Sequence, residues 1–155
     1  MSSLSTMQNF PAIEPGMTTL MLRGVPLDYT QNQILAEVVR VMGRKDTFDF
    51  LYLPQDSAKG TNCGFVFMNF KDPEETQRCA ALFRKHNFAG NGARCVVLPA
   101  RCQGMRDNMK CLFSRASSGR LKHSPIAIWN GREVDIGKLA RMHANRDDFD
   151  SLSSA

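Results

Sequence analysis

The sequence predicts an α+β protein, a split βαβ (ferredoxin-like) sandwich. A four-stranded antiparallel sheet carries two helices on one face, and a third helix and a hairpin follow. Three observations predict it. Four short runs alternate apolar and polar residues, and two helical runs fall between them in the order strand, helix, strand, strand, helix, strand. Both helical runs open on capping signals. Beyond them, Asn130-Gly131 separates two further alternating runs, the strongest short-range sign of a hairpin.

The first strand runs from Thr18 to Arg23, with Leu20 and Leu22 on one side and Met21 and Arg23 on the other. Gly24-Val25-Pro26 ends it. Thr30 and Gln33 form a capping box, Ile34, Leu35, Val38, Val39 and Met42 follow at helical spacing, and Gly43 is the stop. The second strand runs from Phe48 to Leu53, where Pro54 ends it. Strict alternation puts Phe48, Phe50 and Tyr52 on one side and Leu51 and Leu53 on the side that suits helices. A polar loop, 56–62, leads to the third strand, Cys63 to Phe70. Asp72, Pro73 and Glu75 start the second helix, with Cys79, Leu82, Phe83 and His86 inward. After a turn at 87–92, the fourth strand spans Arg94 to Ala100, and Pro99 argues that it is an edge strand. Met105, Met109, Leu112 and Phe113 predict the third helix over 104–115. The hairpin strands are 125–129 and 132–136, with Trp129 pinning them to the domain. The organisation is a mobile tail at 1–17, the sandwich at 18–104, its helix-and-hairpin extension at 105–140, and an acidic, Ser-rich tail at 141–155.

A length of 155 residues and a hydrophobic content of 43% fit one globular domain. No apolar run approaches the roughly 18 residues of a membrane helix, and no secretory signal opens the chain, so no membrane partner is expected. The five cysteines form no Cys-x-x-Cys, and His86, His123 and His143 complete no zinc pattern. Reduced thiols in an intracellular protein, nuclear or cytoplasmic, are the expectation, with no metal and no cofactor. No Gly-x-Ser-x-Gly, phosphate-binding Gly-Lys-Ser/Thr loop, His-Glu-x-x-His or signalled carboxylate pair is present, so no catalytic residue and no small-molecule substrate are expected. The net charge is +5, and the segment from Pro99 to His123, with six basic residues against Asp107, holds all of it. Clustered cations point to a polyanion.

The octamer Cys63-Gly64-Phe65-Val66-Phe67-Met68-Asn69-Phe70 places Phe65 and Phe67 on one face of a strand, where unpaired bases can stack. It resembles the octamer signature of the RNA-recognition motif (RRM), with Cys63 in place of the basic residue and Val66 in place of the small one. The resemblance narrows to the C-terminal RRM of Mei-two-like proteins. Thr18-Thr19-Leu20-Met21-Leu22-Arg23-Gly24-Val25-Pro26 followed by Tyr29-Thr30, Phe48-Asp49-Phe50-Leu51-Tyr52-Leu53-Pro54 with Asp56, and Ala100-Arg101 with Gln103-Gly104 carry it over residues 18–115. Met21 stands where many RRMs have an aromatic, and Pro99 where this family commonly has one on the last strand. The resemblance implies a single-stranded RNA binder acting in post-transcriptional control, in meiosis and development.

The expected RNA-binding residues are Met21, Arg23, Phe50, Tyr52, Phe65, Phe67 and Asn69 on the open sheet face, and Arg101, Arg106 and Lys110 in the basic segment. Arg23 and Asn69 are expected to read base edges. Stacking is worth about 1–3 kcal/mol per base, which with several phosphate contacts gives micromolar binding at roughly 8 kcal/mol. A monomer is expected. The alternative function is a protein-binding module that uses its helical face, or a sheet covered by the third helix.

Overall fold

In the computed structural model of the chain, residues 11–88, 94–117, 125–129 and 132–136 are described, the side chains of 113–117 and 129 excepted. Strand β1 (Thr19–Arg23) leaves the sheet through Gly24. Its φ is +94°, and a Cβ there would stand 3.1 Å from Arg94 O, so both the backbone angle and the space call for glycine. Helix α1 (Gln31–Met42) begins with the expected capping box, Thr30 and Gln33 satisfying each other's backbone N–H groups. It ends at Gly43, left-handed at φ +88°, whose N–H donates to Val39 O.

Strand β2 (Phe48–Tyr52) follows. The expected polar loop contains a small hairpin of its own, β3 (Gln55–Asp56) with β4 (Thr61–Asn62). Then come β5 (Phe65–Phe70) and α2 (Pro73–Arg84), where Asp72 accepts from the Glu75 N–H. Strand β6 (Val96–Pro99) is shorter than expected, because Arg94 makes only an isolated bridge with Asn87. Helix α3 (Gly104–Ser117) and the hairpin strands β7 (Ile126–Trp129) and β8 (Arg132–Val134) complete the elements.

The principal sheet runs β6-β1-β5-β2-β7-β8 and every pairing in it is antiparallel. Pro99 lies on the outermost strand, as its missing N–H requires. The expected four-stranded unit is there, and the hairpin extends it to six by pairing Phe50 with Ala127 and Leu51 with Ile126. Otherwise β2 would be a bare edge with unpaired backbone groups. The Asn130-Gly131 turn lies outside the described residues, as do the Trp129 side chain and the 141–155 tail. Of the expected N-terminal tail, 1–10 lies outside them too, whereas Ile13 packs against the core.

One face of the sheet packs on α1 and α2. Leu20, Leu22, Leu51, Leu53, Val66, Met68 and Phe70 meet Ile34, Val38, Cys79, Ala80 and Phe83, all buried. Each large apolar side chain sequestered in this way contributes about 1.5–3 kcal/mol. Phe48 belongs to this core, edge-to-face with Phe70, and not with Phe50 and Tyr52 as alternation predicts. The reason is a register shift between Phe48 and Phe50, which pair with the consecutive residues Phe70 and Asn69; the bulge reverses the parity of the strand.

Candidate nucleic-acid interface

Residues paired across an antiparallel ladder point to the same side. Arg23 pairs with Phe65, Met21 with Phe67, and Thr19 with Asn69, while Tyr52 and Phe50 pair with Phe67 and Asn69 from the other flank. All seven strand residues expected at the site therefore share the sheet face opposite α1 and α2. On β6 the register sets Val96 opposite Arg23, Leu98 opposite Met21 and Pro99 opposite Leu20, so Val96 and Leu98, not Pro99, are the β6 residues of that face.

Helix α3 divides this face. Met109 and Leu112 pack with Phe50, Tyr52 and Ala127 into a second core, with Met105, Val134, Ile136 and Phe67 against it. Phe50 and Tyr52 are only 2% and 8% exposed, so the expectation that they lie open to RNA is corrected: the apolar stripe of α3 needed a surface to cover and took theirs. Beyond the helix the face stays accessible. Phe65 and Phe67 are half-buried, their ring centroids 5.5 Å apart and nearly perpendicular; Met21 is half-buried and Arg23 exposed.

Asn69 is also corrected. It is buried, and its amide is fully engaged. Oδ1 accepts from Thr18 Oγ1 at 2.8 Å and Thr19 Oγ1 at 2.7 Å, and Nδ2 donates to Asp49 Oδ1 at 2.8 Å. Burial pushes the Asp49 carboxyl above its ordinary range, against the Asn69 hydrogen bond that favours the ionised form. Asn69 thus serves the anchor of α3 and not a base. Gln103 completes that anchor: its Oε1 accepts from the Thr18 and Thr19 N–H groups, and its Nε2 donates to Thr19 O and Ala100 O. Thr19 Oγ1 in turn accepts from the N–H of Gly104 at 3.0 Å and from Asn108 Nδ2 at 3.1 Å. Sequence reasoning missed Thr19, Gln103 and Asn108. Only the string from Ala100 to Gly104 hinted that this junction is specified.

Arg101, Arg106 and Lys110 are exposed. Arg23, Arg101 and Lys110 form no ion pair among the described residues, whereas Arg44, Lys45 and Arg78 each have a carboxylate within 3.4 Å. Arg120 and Lys122 lie outside the described residues, as does the Arg115 side chain. Between α3 and the sheet runs a groove of about 790 Å³, floored by Met21, Phe50, Tyr52 and Phe67 and flanked by Arg101 and Lys110.

Two cysteines depart from the expected free thiols. Cys102, just before α3, and Cys111, two turns into it, form a disulfide beside this groove. A nine-residue separation carries no signature; the return of α3 over the sheet brings the two together. Burial raises the Cys79 thiol far above its ordinary value and pushes Cys95 up to about 12, while Cys63 is exposed.

A β6-β1-β5-β2 sheet backed by two helices, with adjacent aromatics on β5 and Arg23 beside them, has the architecture of an RNA-recognition module. The profile of the family described as RNA recognition motif 2 matches residues 17–108, and the chain belongs to that family, the Mei2-type C-terminal RRM. Over 61 residues it is 41% identical to Protein MEI2-like 4 of Arabidopsis thaliana, covering 39% of this chain and 6% of that protein. Over 103 residues it is 32% identical to Protein terminal ear1 of Zea mays, covering 57% of this chain and 16% of that protein. The chain thus spans a small fraction of the length of these relatives. Among solved structures, the Sex-lethal RNA recognition domains 1 and 2 from Drosophila melanogaster align with a TM-score of 0.45 at 23% identity, over 54% of this chain and 50% of that one.

Proposed function

We propose that the chain binds single-stranded RNA on the part of the sheet that α3 leaves open. Bases stack on Phe65 and Phe67, Arg23 contacts the strand from β1, and Arg101, Arg106 and Lys110 hold phosphates. The observation that carries this reading is the half-exposed Phe65–Phe67 pair beside Arg23, a cation with no carboxylate partner among the described residues. Stacking surface and unneutralised charge are the two things an unpaired strand requires. The relatives named MEI2-like support a role in post-transcriptional control in meiosis or development. We place the protein inside the cell, in the nucleus, the cytoplasm or both, as a monomer.

Binding of a protein ligand is the second reading, favoured by the cover that α3 puts over Phe50 and Tyr52. Against it, the exposed large apolar side chains among the described residues are Leu27 and Leu82, too few for a groove on the helical face. Amide chemical-shift mapping with a single-stranded RNA octamer separates the two. The RNA reading expects shifts in β1, β5 and the start of α3. Shifts confined to α1 and α2, or none at all, would overturn it.

A further inference from the structure

We propose that the groove between α3 and the sheet is a slot for one unpaired nucleotide. Its base presents its pairing edge to Asn108 Oδ1, and Arg101 and Lys110 hold its phosphate. The inference rests on the RNA reading above and adds to it, at the α3 side of Phe67, the residue that reads the base.

Asn108 is 6% exposed and lines the groove. Its Nδ2 donates to Thr19 Oγ1 at 3.1 Å and to Gly104 O at 2.7 Å. A carbonyl can only accept, so the Gly104 bond fixes which end of the amide faces the helix start, and Oδ1 is the end that remains. It has no partner among the described residues. Nor is it sealed: Thr47 Oγ1 is the only solvent-excluded side-chain oxygen or nitrogen without a partner among them, so Oδ1 keeps contact with solvent, and the groove is the space Asn108 lines. An acceptor held rigid at a groove whose accessible apolar lining is Met21 and Phe67 selects a ligand that brings an N–H donor on a flat apolar body.

A nucleobase is such a body, and each of the four carries an N–H on its pairing edge. In a duplex that edge is already engaged, so the slot takes only an unpaired base. The groove volume of about 790 Å³ lies within the roughly 300–1,000 Å³ range of small-ligand sites and suits one nucleotide. Charge complementarity fixes its other end, since Arg101 and Lys110 flank the groove with no carboxylate partner among the described residues.

The test compares octamers of uridine and adenosine with octamers of N3-methyluridine and purine riboside, which lack the pairing-edge N–H, by fluorescence titration of the full chain. The wild type should bind the altered octamers about fivefold more weakly or worse, the effect of one lost hydrogen bond. Asn108→Ala should bind parent and altered octamers alike. The Asn108 side-chain amide resonances of the wild type should move with the uridine octamer and not with its methylated form, a readout that needs no variant. Equal binding of parent and altered octamers by the wild type, or a difference that survives Asn108→Ala, overturns the slot while leaving the RNA reading intact. Failure of every octamer to bind overturns both.

Discussion

Phe65 and Asn69 lie on the same face of the same strand, yet their substitution should have opposite signatures. Phe65 is half-exposed and touches Phe67 edge-on. Phe65→Ala should weaken RNA binding by about 1–3 kcal/mol, while stability changes by about 1 kcal/mol. Titration and urea denaturation on one preparation check this, and a stability loss with unchanged affinity would return Phe65 to the core. Asn69→Ala strips partners from the half-buried Thr18 and Asp49 and from the buried Thr19. It should cost roughly 1–3 kcal/mol of stability, read by the same denaturation. Asp49 adds a pH dependence. Burial raises its carboxyl above the ordinary 3.8, so above that pH the folded chain holds a proton the unfolded chain has released. Stability should therefore fall as pH rises from below 3.8 through the folded-state value, and Asp49→Asn should remove that fall. Among the described thiols, an alkylating agent should modify Cys63 and spare Cys79 and Cys95 until the chain unfolds, as peptide mass spectrometry can show.

Helix α3 is the element on which the surface depends. Leu112 is 3% exposed in the second core, and Leu112→Ala leaves a cavity there. That should cost about 2–5 kcal/mol and speed hydrogen exchange across 104–117 while α1 and α2 keep their protection; unchanged exchange in α3 would contradict its docking. The elements themselves were legible in the sequence because local chemistry fixes them. The Thr30–Gln33 box, the Gly43 stop, the Asp72 cap and the edge Pro99 all stand where backbone requirements put them. What could not be read was the packing of one element on another. The periodic stripe Met105, Met109, Leu112 announces a helix that buries one side but does not name the surface it covers, and Phe50 and Tyr52 were therefore expected in the open. The bulge after Phe48 is invisible to an alternation argument, since it is a fault in the alternation. Asn69 fits both a base reader and a buried anchor, and only its neighbours from distant parts of the chain decide between them.

At the scale of the whole molecule, the sheet divides its labour by face. One side is sealed by α1 and α2, and the other is shared between α3 and an open strip bordered by cations without partners among the described residues. Affinity for RNA should accordingly fall steeply with salt. The slope of log K against log salt should lessen by about 0.7 for each phosphate-contacting cation removed, so Arg101→Ala/Lys110→Ala should be visibly less salt-dependent than wild type. An unchanged slope would mean that these side chains touch no phosphate. The most direct test of the account is a titration of fluorescent single-stranded RNA against wild type and Phe65→Ala/Phe67→Ala, with circular dichroism establishing that both are folded. The account predicts that the folded double variant binds at least tenfold more weakly. Equal affinity for the two proteins would contradict it.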